Sequence, residues 1–104
     1  MMYYDKLVRD KIPSIIETSG RVPMTDTIPS EKIQEALDRK LQEETAEFLD
    51  SHSIEEMADI LEVLRGIAFH QGIDWNQVES ERIRKRRERG GFENRIRLIE
   101  VREE

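Results

Sequence analysis

The sequence predicts an all-α protein, a helical bundle built on an antiparallel αα-hairpin, with a short extended arm at its C-terminal end. Three observations carry that prediction. Ile33, Leu37, Leu41 and Phe48 share one helical face, and apolar residues recur at helical spacing again from Met57 to Ile67, the pattern of amphipathic helices. Residues that start and stop helices bracket these stretches and a third one after them. Five Gly and three Pro in 104 residues are few for a fold of many short strands, and 38% charged with 37% hydrophobic residues suits a helix-rich soluble chain rather than a disordered one.

Residues 1 to 18 read as a short amphipathic lead-in, with Pro13 tolerated in a first helical turn ahead of Ile15 and Ile16, and Gly20 as its stop. "SGRVPMTDTIPS" is a loop by composition. Ser30 is the expected N-cap of a helix through Ile33, Leu37, Leu41 and Phe48. Ser53 opens the next helix, which runs to Gly72. Asp74, with Gln77 three residues on, caps a third long helix that the glycines Gly90 and Gly91 end. The tail "FENRIRLIEVREE" alternates weakly at Ile96 and Leu98 and is expected to be an extended arm or short strand. No repeat, linker or low-complexity segment interrupts the chain, so residues 1–104 are expected to form a single domain, one small enough to gain from self-association.

Composition excludes several classes of function. The chain has no cysteine, which removes disulfides and thiolate metal sites. No apolar run approaches the roughly 20 residues of a membrane span, and "MMYYDKLVRDK" lacks the apolar core of a signal peptide, so a cytoplasmic protein is expected. A net charge of -6 argues against a nucleic-acid binder that uses its whole surface. The charge is unevenly spread, however. Eight acidic side chains and no Lys or Arg lie between Glu43 and Glu62, whereas "RIRKRRER", Arg82 to Arg89, holds six basic residues.

The acidic block carries the strongest signal. At about 100° per residue, Glu44 falls in the middle of the apolar arc of Ile33, Leu37, Leu41 and Phe48, with Glu47 at the border of that arc. In the next helix Met57, Ile60, Leu61, Val63, Leu64 and Ile67 form the arc; Glu56 lies between Val63 and Ile67, and Asp59 at the edge. The two pairs are symmetric about the connection near "DSHS". An antiparallel hairpin therefore sets Glu47 level with Glu56 and Glu44 level with Asp59. Two ionised carboxylates about 4 Å apart repel by roughly 4 kcal/mol at an effective dielectric of 20, so four together require protonation, a basic partner or a metal. Carboxylate-only ligation favours a hard cation, Mg²⁺ or Mn²⁺, and Mg²⁺ commonly meets substrate phosphates.

Other features have plainer explanations. Glu55 and Glu62 lie well off the arc and read as solvated. "SIEE" is also a capping box, which gives Glu56 a second explanation as partner of Ser53. His52 and His70 fall outside the carboxylate set; His70, near a helix C-terminus, reads as structural. Trp75, Phe69, Tyr3 and Tyr4 are available to stack on a base, although a Trp one residue into a helix is commonly a packing residue.

Glu43-Glu44-x-x-Glu47 followed by Glu56-x-x-Asp59 resembles the EExxE and ExxD motifs of the MazG-like all-α nucleoside triphosphate pyrophosphohydrolases. "YDKLVRDKIPSII" and "KRRERGGFENRIRL" look like the flanking segments of its small single-domain branch, the phosphoribosyl-ATP pyrophosphohydrolase-like proteins. The resemblance covers nearly the whole chain. It implies a helical bundle, commonly a homodimer or homotetramer, that uses Mg²⁺ to cleave a nucleotide between its α and β phosphates, giving a nucleoside monophosphate and pyrophosphate. By motif the metal ligands are Glu44, Glu47, Glu56 and Asp59. The phosphate-binding residues map to Lys85 and Arg89, with Lys6 and Arg9 as further candidates. Glu43 or Glu47 is the expected activator of water. A nucleoside triphosphate is the favoured substrate and phosphoribosyl-ATP the alternative. A rival of another class is a non-catalytic helical module that binds RNA or a protein partner; it predicts strong salt dependence and no need for a divalent ion.

Overall fold

A computed structural model describes residues 3–103. Its described part is all-α, with helices α1 (Ile12–Thr18), α2 (Ile33–Ser51), α3 (Ile54–Gln71) and α4 (Trp75–Arg89) and no strand among the described residues. The chain groups into two compact units, Met1–Gly72 and Ile73–Glu104.

In the first unit, α2 and α3 pack on each other as a hairpin. A two-residue connection makes the reversal. His52 takes a left-handed φ of 52° and its N–H donates to Phe48 O at 2.7 Å, closing α2; Ser53 then caps α3, its Oγ accepting from Glu56 N at 3.1 Å. Histidine tolerates the left-handed region better than most residues with a Cβ. At the far end Gln71 Nε2 donates to Gln34 Oε1 at 2.9 Å, which joins the end of α3 to the start of α2. Between these points a Cβ built on Gly66 would stand 3.4 Å from Leu37 Cδ2. Leu37 therefore lies against Gly66, in the register that the symmetric carboxylates require.

Two expectations need correction. Ser30 does not cap α2: residues 30–32 form a turn in which Lys32 N donates to Pro29 O at 2.9 Å, and the helix starts at Ile33 without a side-chain cap. The apolar arc of α3 also does not all face the core. Val63 and Ala68 are buried and Ile60 and Ile67 half-buried, but Met57, Leu61 and Leu64 lie exposed beside Ile54 on an open apolar groove. An arc wider than one helix contact leaves the remainder facing outward.

In the second unit Asp74 caps α4, its Oδ1 accepting from Asn76 N at 2.9 Å, and Gly90 ends it at a φ of 84°. Gly91 has a separate reason to be glycine. A Cβ there would collide with the side chains of Arg86 and Glu93, which are ion-paired at 3.0 Å. Residues 96–103 have no regular hydrogen-bonded structure, so of the extended arm or short strand that was expected the strand does not form.

Candidate metal centre

The hairpin brings Glu44, Glu56 and Asp59 together, with one carboxylate oxygen of each lying within 4.8 Å of the others. Helical periodicity and the register of the hairpin suffice to do this, because each residue projects toward the facing helix. Glu44 is the deepest: it is 7% exposed, the one charged residue buried among the described residues. Glu56 and Asp59 are half-buried.

The cations around the cluster satisfy only part of it. Lys40 Nζ lies 3.3 Å from Glu44 Oε1 and 3.5 Å from Glu43 Oε2. Lys6 reaches the other oxygen of Glu43 at 3.6 Å, and Arg9 donates to Asp59 Oδ1 at 2.7 Å. Oε2 of Glu44 and Oε2 of Glu56 are buried with no hydrogen-bond partner. A buried, unpartnered carboxylate oxygen is costly, and here two of them occur on neighbouring side chains. Burial raises the Glu44 carboxyl above its usual range; the negative charges of Glu47 and Asp59 push the same way, and Lys40 opposes them.

Glu56 has two sequence explanations, and the hydrogen bonds discriminate between them. In a capping box its side chain would accept from Ser53 N. That N–H donates instead to Ser51 Oγ at 3.2 Å. Ser53 still caps the helix, but Glu56 does not return the bond, and its Oε2 is left to the carboxylate cluster.

The donor set suits a hard divalent cation: three carboxylates from two rigid helices, two of them with an unused buried oxygen and no nitrogen or sulfur donor among them. Of the expected ligands Glu47 stands apart. It is exposed and outside the three-carboxylate group, although three residues from Glu44 and close enough to act on it electrostatically. Glu43 is half-buried between Lys6 and Lys40. Lys40 was not among the expected site residues; its spacing of three and four from Glu43 and Glu44 is the signal that marks it.

Arg9 thus lies against the cluster and Lys6 against Glu43 beside it, within the same unit. Lys85 and Arg89 belong to the second unit. There Arg82 pairs with Glu79, Arg84 with Glu81 and Glu88, and Arg86 with Glu93. Lys85, Arg87 and Arg89 form no salt bridge among the described residues.

A curated protein of Mycolicibacterium smegmatis, itself described as uncharacterized, is 50% identical to the chain over 43 residues. The match spans 41% of this chain and 44% of that protein, less than half of each. No family model matches the chain, and no solved structure matches it. The MazG-like resemblance therefore rests on the motifs of the chain itself.

Proposed function

We propose that the chain is a Mg²⁺-dependent nucleotide pyrophosphohydrolase that cleaves a nucleoside triphosphate between its α and β phosphates. The observation that carries this reading is the pair of unpartnered buried oxygens on Glu44 and Glu56, beside Asp59, in the order and spacing of the EExxE and ExxD motifs. When bound, Mg²⁺ (or Mn²⁺) neutralises phosphate charge. Glu44, Glu56 and Asp59 would hold it, and Glu47 is the further ligand that the motif resemblance implies.

The proposed reaction is attack of water on the α phosphorus, with loss of the water proton to a carboxylate. The bond from the α phosphorus to the bridging oxygen breaks, and pyrophosphate leaves with the electron pair. Glu47 is open to solvent and free to take that proton, whereas Glu43 is engaged by Lys6 and Lys40. Lys6 and Arg9 are the proposed counter-charges of the phosphates; for Lys85 and Arg89 that role is proposed on the motif resemblance alone. The non-catalytic alternative gives no reason for a carboxylate as buried as Glu44. The groove along Ile54, Met57, Leu61 and Leu64 is the proposed site of self-association with a second copy, because Leu37, Val63 and Ala68 are the only buried apolar residues among the described residues.

Incubation with NTPs, dNTPs and phosphoribosyl-ATP in the presence of Mg²⁺, with products separated by chromatography, tests the reaction. A monophosphate and pyrophosphate are expected, with little orthophosphate. Release of a nucleoside diphosphate, or no turnover of any nucleotide, would overturn the proposal.

A further inference from the structure

We infer that Arg9 is a built-in competitor of the metal, holding Asp59 in the metal-free protein and yielding it when the divalent cation binds. This rests on the metal reading of the carboxylate cluster and deepens it. Arg9 comes from the segment ahead of α1, fifty residues from Asp59 in sequence, yet its guanidinium donates to Asp59 Oδ1 at 2.7 Å. Asp59 belongs to the same carboxylate cluster as Glu44 and Glu56, each of which has an unpartnered Oε2.

The three carboxylates are not equivalent. Lys40 already holds one oxygen of Glu44 from its own helix, one turn away, so that pair belongs to α2 itself. Arg9 is a tertiary contact, and both partners are more than a third exposed. Such a pair is weak enough to exchange, because solvent screens it and two side chains must be ordered to make it. A divalent cation bound by three carboxylates outcompetes one exposed guanidinium for Asp59. The released Arg9 carries a fork of donors suited to phosphate oxygens, at the rim of the site where a phosphate would arrive. One residue then serves both states: counter-charge to Asp59 when metal is absent, donor to the ligand's anion when metal is present.

The test uses Mn²⁺ alone, titrated into the full chain by calorimetry and by the electron paramagnetic resonance of free Mn²⁺. Arg9→Gln should bind Mn²⁺ about two- to fivefold more tightly than the wild type, the range set by loss of one exposed competing pair. Lys6→Gln removes the same charge beside Glu43 rather than Asp59, and should change the affinity less. In the wild type, the side-chain N–H signals of Arg9 in NMR spectra should shift and exchange faster as Mg²⁺ is added. Unchanged or weaker Mn²⁺ binding in Arg9→Gln, an equal gain in Lys6→Gln, or Arg9 signals that stay constant to saturation would each overturn the inference. If the wild type binds Mn²⁺ and Glu44→Gln does not, such a result removes the role of Arg9 alone. Absence of binding by the wild type removes the metal reading, and this inference with it.

Discussion

Glu44 occupies a position where a helix of this pattern ordinarily carries an apolar side chain, and its burial raises its carboxyl pKa. The sign of the consequence is fixed. A carboxyl whose folded pKa lies above its unfolded value of about 4.5 stabilises the fold below that value, and this contribution is lost as pH rises through the folded pKa. In EDTA the melting temperature should therefore rise as pH falls from neutral toward 4.5, relative to Glu44→Gln, in which this dependence is removed. A wild type and Glu44→Gln with parallel pH profiles would contradict the argument. Glu56 allows a second test at this scale. Its backbone N–H, not its carboxylate, makes the cap with Ser53, so Glu56→Gln should keep α3 intact by circular dichroism. Mg²⁺ at ten times its Kd should add about 1.4 kcal/mol to the wild type, roughly 5–10 °C in a domain of this size. Glu56→Gln should lose most of that shift, and a full wild-type shift would remove Glu56 from the site.

The hairpin is the element that turns separate residues into a site. Its register is set at the reversal by His52 and Ser53, in the middle by the closeness of Leu37 to Gly66, and at the open end by Gln34 and Gln71. Gly66 lowers helix propensity, yet a Cβ there would make only an ordinary contact with Leu37. Gly66→Ala should accordingly raise stability by about 0.5–1 kcal/mol in denaturant titrations while leaving Mn²⁺ affinity unchanged. A loss of stability would mean that the helices cannot accept a methyl group at this point. Much of the hairpin was legible beforehand: the Ser53 cap, the Gly72 stop, and the pairing of Glu44 with Asp59 all follow from period and symmetry. The start of α2 was not, because a turn formed by Pro29 and Lys32 competes with a cap at Ser30, and local composition does not rank the two.

At the scale of the whole molecule, the acidic cluster and the basic block fall in different units. The carboxylate cluster lies in Met1–Gly72 and the basic block of α4 in Ile73–Glu104. Within α4, intrahelical or nearby glutamates neutralise Arg82, Arg84 and Arg86, so charge density in the sequence overstates the free positive surface. Lys85→Ala and Arg89→Ala should each lower turnover at least tenfold with less than about 0.5 kcal/mol lost in stability, the usual range for exposed substitutions. Arg87→Ala is the control. Equal effects in all three would make the block a general electrostatic surface. The groove on α3 makes a separate prediction: sedimentation should show a self-associated species that Leu61→Glu dissociates, since a charge at a half-exposed apolar position opposes its burial. A monomer at all concentrations would refute it.

Sequence alone determined the helices and the inward turn of Glu44, Glu56 and Asp59, because helical period and a short reversal depend on neighbours along the chain. The tertiary structure decided which oxygens of that cluster are satisfied. Lys40 and Arg9 take one oxygen each from Glu44 and Asp59, Ser51 takes the Ser53 N–H that would have engaged Glu56, and Glu47 stays at the exposed rim. Helical period states only the direction in which a side chain leaves its helix. Which partner it meets depends on residues distant in sequence, such as Arg9, and on competition for each donor once the helices have packed.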